Sequence, residues 1–244
     1  MGSCMVKKFS DYMNLSQEEE KLLLQLEDTE EEYFAGSVIR EKNQDIKNIY
    51  VMKKGWAYIS NTLDKNIRSI FDIRLSGDFI GIGELSFSHA LYDIRAMTDV
   101  VVCPFPRSHL NDIFKQSPKL CRMFYAILSR EQALLYARVF SLGRRTALEK
   151  VAHFILEVGL RLHNIFGDMD NVYEFPIKQE EIGDILGLST VHVNRSMNEL
   201  KRHHYIEYDR SSIKILDRQK LFNLAGFEPQ FLEAANVDWH KVSE

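Results

Sequence analysis

The stretch Ile177-Lys178-Gln179-Glu180-Glu181-Ile182-Gly183-Asp184-Ile185-Leu186-Gly187-Leu188-Ser189-Thr190-Val191-His192-Val193-Asn194-Arg195-Ser196-Met197-Asn198-Glu199-Leu200 decides how this chain is read. Ile182, Ile185 and Leu186 make the inner face of a first short helix, Gly187 permits a sharp turn and Leu188 anchors it. Ser189 is placed to N-cap a second helix, whose apolar residues Val193, Met197 and Leu200 recur at i, i+4 and i+7. That spacing leaves Thr190, Val191, His192, Asn194, Arg195 and Asn198 outside. Side chains near the N-terminus of such a second helix are the ones that meet base edges in a major groove. Two strand-like runs follow with no long linker, at 205–208 and 213–216, joined by Asp209-Arg210-Ser211-Ser212. A helical hairpin in any core can imitate the first pattern, but the added wing makes double-stranded DNA the expected partner.

Upstream of this motif an amphipathic helix runs to about His163, with Leu148, Val151, Ala152, Ile155, Leu156 and Leu160 on its apolar side. Before it, the chain from Pro118 to about Gly143 reads as one long helix with two apolar seams. Tyr125, Leu128, Leu135, Val139 and Leu142 follow heptad spacing with Gln132 as the polar interruption, while Leu120, Phe124, Ile127 and Leu134 lie on another face. Two seams need two partners. The second is assigned to the preceding domain and the heptad seam to a symmetry mate, which makes a homodimer the expected assembly.

From Gly36 to Phe105 the period is strand-like, in runs at 49–52, 56–59, 69–73, 93–98 and 100–103. Turn signals separate them at Lys54-Gly55, Asp64-Lys65-Asn66, Ser76-Gly77-Asp78 and the glycines at 81 and 83. This predicts a small antiparallel sandwich or jelly roll. A leading helix is expected over 10–26, with Ser16 and Glu19 forming a capping box. The fold class is therefore α+β. It comprises a β jelly-roll sensory domain with its leading helix at 1–116, a dimerisation helix at 117–143 and a winged helix-turn-helix at 144–244.

Composition agrees with a soluble globular chain: 244 residues, 45% hydrophobic and 27% charged. No apolar run reaches the length of a membrane span and the first eight residues lack a secretory apolar core, so a cytoplasmic location without membrane contact is expected. The formal net charge of −4 argues mildly against nucleic acid, although DNA meets one face and not the sum. Cys4, Cys103 and Cys121 are odd in number and lack metal-ligand spacing, so they read as reduced thiols and no metal is expected. There is no phosphate loop, zinc helix or nucleotide fingerprint, and Ser189, His192 and Arg195 lack a buried carboxylate, so no enzyme is expected.

Over nearly its whole length the chain resembles the CRP/FNR family of transcription regulators. The resemblance rests on Gly55, on Gly77-Asp78-Phe79-Ile80-Gly81, on Ile94-Arg95-Ala96-Met97-Thr98, on the long helix and on Gly187 to Arg195 with its wing. It implies a cyclic-nucleotide-binding-like jelly roll, a dimerising helix and a winged helix reading a palindromic operator. The family's recognition positions fall on Thr190, Val191, Asn194 and Arg195, where Arg195 matches an arginine used on guanine. Val191 departs from the glutamate usual there, so the operators of the best-known branches cannot be borrowed. Lys178, Gln179 and Ser189 are placed to hold phosphates, and His192 completes the DNA-binding set. RNA polymerase is a further candidate partner.

The family's cyclic-nucleotide site implies an effector position at Gly83-Glu84-Leu85, but no arginine precedes Ile94 where a cyclic phosphate would sit. Cyclic AMP is therefore not expected. Glu84 alone also reads as a carboxylate at a surface turn. The iron-sulfur branch needs a cysteine cluster that this chain lacks. No cofactor is assigned, with His89, His109 and His153 leaving haem open. An apolar or aromatic effector near Trp56, Tyr58, Phe71, Phe79 and Phe87 is the remaining option, and the effector stays unidentified.

Overall fold

The structure is a computed structural model in which residues 3–10, 12–63, 67–167, 171–209 and 211–229 are described. The expected turn at 64–66, Arg210 of the wing and the chain past 229 lie outside them.

Two short helices, α1 (Cys4–Ser10) and α2 (Gln17–Leu24), open the chain. The capping box is present: Ser16 Oγ accepts from Glu19 N at 3.2 Å and Ser16 N donates to the Glu19 carboxylate at 2.9 Å. The expected helix over 10–26 is thus corrected at its start. The cap sets the beginning at Gln17, and the residues before it belong partly to α1, which is anchored separately by buried Met5 and Phe9.

Eight strands follow: β1 (Glu31–Tyr33), β2 (Val38–Arg40), β3 (Asn48–Lys54), β4 (Ala57–Thr62), β5 (Arg68–Arg74), β6 (Phe79–Ile80), β7 (Asp93–Ala96) and β8 (Val100–Pro106). They form two antiparallel sheets, ordered β1-β8-β3-β6 and β2-β7-β4-β5. Alternation along each strand sends neighbours to opposite layers. Ile39, Met52, Ala57, Ile80, Ile94 and Val102 fill the space between the sheets. Ile49, Val51, Phe79, Cys103 and Phe105 project from the first sheet onto a helical layer.

That layer includes α3 (Ser108–Gln116) and the first half of the long helix α4 (Pro118–Arg144). Ser117 caps α4 by accepting from Leu120 N, and Pro118 occupies the first turn, where a missing N–H costs nothing. Leu120, Phe124 and Ile127 are buried against the first sheet.

After Arg145 and Thr146 comes α5 (Ala147–Phe166), then β9 (Val172–Glu174), α6 (Gln179–Leu186), α7 (Thr190–Arg202), β10 (Ile206–Tyr208), β11 (Ser212–Ile215) and α8 (Arg218–Ala225). The wing is a three-stranded antiparallel sheet, β10-β11-β9, one strand more than expected. The outer face of the second β sheet (Trp56, Tyr58, Ile70, Ile73, Leu75) joins one apolar core with Val151, Ile155, Leu162, Ile182 and Val193 of this helical unit. Among the described residues no helix is long and apolar enough to cross a membrane.

Candidate nucleic-acid interface

The turn between α6 and α7 is built on two glycines. Gly187 ends α6 in the left-handed region at φ 62°, and Gly183 lets the chain fold back so closely that a Cβ there would lie 2.6 Å from the Leu188 carbonyl. Leu188 N donates to Gly183 O at 3.0 Å, closing the turn. Ser189 then caps α7, its Oγ accepting from His192 N and lying 2.9 Å from His192 Nδ1.

On α7, Val193, Met197 and Leu200 are buried, as their spacing requires. Thr190, Val191, His192, Asn194, Arg195 and Asn198 are exposed. Val191 is the telling one, a branched apolar side chain left 76% exposed on the first turn of a helix. Asn194 Nδ2 donates to Gln179 Oε1 at 3.1 Å and its Oδ1 accepts from Asn198 Nδ2 at 2.9 Å, so a polar ladder ties the start of α6 to α7. Lys178 is exposed, with its backbone N–H bonded to Glu181. Six sequence-chosen residues thus lie together on the first turns of α7, with Gln179 bonded to them and Lys178 beside it.

The comparisons agree with this geometry. Residues 149–224 match the model of a Crp-like helix-turn-helix domain, and residues 30–117 that of a cyclic nucleotide-binding domain. The chain is 30% identical over 193 residues to the nitrogen fixation regulation protein FixK of Bradyrhizobium diazoefficiens, covering 79% of this chain and 80% of that one. It belongs to the CRP/FNR family. As a member it is a transcription regulator that binds DNA through its helix-turn-helix. It is also 25% identical to the transcriptional activator protein FnrL of Cereibacter sphaeroides, over 80% of this chain and 79% of that one. The solved structure of FixK2 from Bradyrhizobium japonicum superposes with a TM-score of 0.74 at 26% identity, covering 82% of this chain and 98% of that one.

The expected effector position looks different in three dimensions. Glu84 is not a surface carboxylate: it is buried at the end of a short 3-10 turn, Ile82–Glu84, and paired with Arg40 of β2. Its other oxygen accepts from Leu91 N at 2.6 Å. Both oxygens are taken by the fold, and Arg95 lines a separate cleft with Tyr58, Arg68 and Lys178. Glu84 is thus committed to the fold, although Arg40 Nε and Nη1 beside it are buried without a partner; what argues against a cyclic nucleotide is that no arginine stands directly before Ile94 to meet its phosphate.

Gly83 and Glu84, without Leu85, do line a large cavity, of about 1480 Å³, between the β domain, α4 and α5. Of the aromatics singled out for an effector, Phe71 lines it, 5.1 Å from the ring of Tyr92. Trp56 also touches it but packs mainly into the core shared with α5, as Tyr58 does. Phe79 is buried under α4, and Phe87 is exposed. They do not gather into one aromatic site. The histidines are scattered too: His89 sits on the surface 3.1 Å from Asp45, His109 is exposed on α3, and His153 is buried in α5 against Phe227.

Sequence reasoning missed part of the exposed apolar surface of α4. The heptad residues Tyr125, Gln132, Leu135, Val139 and Leu142 are exposed and Leu128 is half-buried, but Tyr136 and Phe140 add further exposed area beside them. They lie off the heptad positions, so a search by seam passes over them.

Proposed function

We propose that this regulator works as a homodimer joined along α4 and reads an inverted repeat with its two α7 helices. In this reading Arg195 pairs with a guanine through O6 and N7, and Val191 packs against a thymine methyl. Thr190 and Asn194 supply polar contacts to neighbouring bases, while Lys178, Gln179, Ser189 and His192 hold the phosphates. The observation that carries it is the contrast along α7: its inner face is fully packed, yet its first two turns present Val191, Asn194 and Arg195 to solvent. The heptad seam of α4 would supply the two-fold axis. An effector that is not a cyclic nucleotide would occupy the cavity between β5 and α4.

The reading is tested by selecting bound sequences from a random duplex library. A palindrome should emerge whose half-sites are about one helical turn apart. One position in each half-site should be guanine, and Arg195→Ala should lose that preference alone. Selection of an asymmetric site, or an unchanged preference in the variant, would overturn the assignment.

A further inference from the structure

The helix that reads DNA is packed on α5, and α5 is fastened to the other elements by a cluster of charge. Asp72 on β5 meets Arg138 of α4 at 2.7 Å, Arg161 of α5 at 3.4 Å and its strand neighbour Arg74 at 3.2 Å. Arg138 also pairs with Glu157 of α5. Arg161 reaches on to Asp78 at 2.7 Å, and Asp78 takes Lys8 from α1 at 2.9 Å. Arg74 pairs with Glu131 of α4 at 2.6 Å. The guanidiniums hold backbone as well, Arg138 donating to Phe71 O and Arg161 to Ile73 O, each at 2.8 Å.

Carboxylates and cations balance within this cluster, which lies half-buried along the cavity wall, and removing one member leaves an opposite charge there without its partner. Guanidinium forks fix angle as well as distance, unlike a solvated surface pair. The position of the cluster gives it a consequence. The covalent link from α4 to α5 is only Arg145 and Thr146, both extended, with ψ near 149° and 165°. Such a link by itself leaves α5 free to swivel. The cluster spans it from the side.

We propose that Arg138 and Arg161 set the spacing between half-sites, as positioning residues that never touch DNA. The proposal rests on the dimeric reading above, in which α4 supplies the two-fold axis. The separation of the two recognition helices is then defined only if α5 is rigid against α4; the shared apolar core holds α5 on the β domain, and the cluster fixes its angle to α4. Shifting a half-site by one base pair moves it by about 3.4 Å and turns it by roughly a tenth of a helical turn. A hydrogen-bonded fork tolerates only a few tenths of an ångström. An intact cluster therefore admits one spacer length, and a loosened one admits its neighbours.

The test is selection by the full chain from a library in which half-sites and spacer length are both free, with Arg138→Gln and Arg161→Lys run beside the wild type. The wild type should enrich one spacer about tenfold over those one base pair longer or shorter, and the variants should keep the same half-site with neighbouring spacers within about threefold. Loss of packing alone would weaken binding without moving this ratio. An unchanged ratio in the folded variants overturns the proposal. Should Arg138→Gln fail to fold, Arg161→Lys, which keeps the charge and loses the fork, decides it. Failure of the dimeric reading looks different, because the wild type itself would then return no inverted repeat.

Discussion

Arg195 and Lys178 are both exposed cations on the proposed DNA face, yet they differ in what their removal should cost. A bidentate contact to one base carries sequence information, so Arg195→Ala should cost about 1–3 kcal/mol per half-site and relax one base pair. A phosphate contact carries none, so Lys178→Ala should weaken all sequences alike and lower the slope of log affinity against log salt by about one. Binding titrations at several salt concentrations separate the two. His153 makes a prediction of another kind. Burial against Phe227 pushes its pKa down to about 4, a drop that Glu157 nearby only partly offsets. Between that value and its ordinary 6.5 the unfolded chain binds the proton and the folded one does not. Stability is then full above pH 6.5 and falls as the pH drops toward 4, by about 2 kcal/mol between pH 7 and 5. Denaturant unfolding of the wild type and His153→Phe at both pH values checks it, the variant showing a smaller difference by that amount. Which α7 residues are buried and which exposed was legible in the sequence, because a period of 3.6 alone separates inner from outer positions. The commitment of Glu84 to Arg40 was not legible, since the two lie 44 residues apart and no local pattern links them.

At the scale of elements, α4 and the turn at Ile82–Glu84 carry the expectations. An aspartate in a buried apolar seam cannot be desolvated cheaply, so Leu135→Asp should turn a sedimenting dimer into a monomer at micromolar concentration. A dimer unaffected by that change would place the interface elsewhere, and Tyr136 and Phe140 mark where to look next. The turn predicts a negative result: calorimetry with cyclic AMP should show no micromolar binding, since both Glu84 oxygens are already bonded. A clear one-to-one isotherm would mean that Arg40 gives way. Long elements were readable because a seam repeats along them, and Ser189 marks the start of α7. Short ones were not. α3 and α8 each bury only two residues, too few to establish a period, and β1 is a triplet with two exposed glutamates that resembles a loop. β6 is two residues long and is a strand only because β3 pairs with it.

For the whole molecule, the sequence boundary at 143/144 sets the winged helix-turn-helix apart from the rest, but the packing runs across it. Ile70 and Ile73 of β5 are three residues apart and share the outer face only through a register shift opposite Ile59 and Ser60, which no strict alternation reveals, and this is why the sequence reading separated the parts. In the structure Trp56, Tyr58, Ile70, Ile73 and Leu75 share one core with α5 and α6, and Arg68 adds a 2.7 Å pair to Asp184 of α6. Domains joined by small polar contacts move and melt separately, whereas an extended apolar interface couples them. The chain should therefore melt in one calorimetric transition, with the van't Hoff enthalpy close to the measured one. Acid should act on the same joint. Burial opposes ionisation of Asp72, but Arg138, Arg74 and Arg161 outweigh it and hold its pKa at about 2. A depressed carboxylate contributes stability above its unfolded value near 4, and that contribution is lost as pH falls through 2. Ile73→Ala distinguishes the coupled picture from the separable one. Emptying a buried isoleucine site costs about 2–5 kcal/mol, and in a coupled chain that loss lowers the single transition as a whole, by roughly 2 °C or more for each kcal/mol. In a separable chain the β domain would melt early and leave a second, unmoved transition for residues 147–229, and that split would show that the shared core does not bind the two parts together.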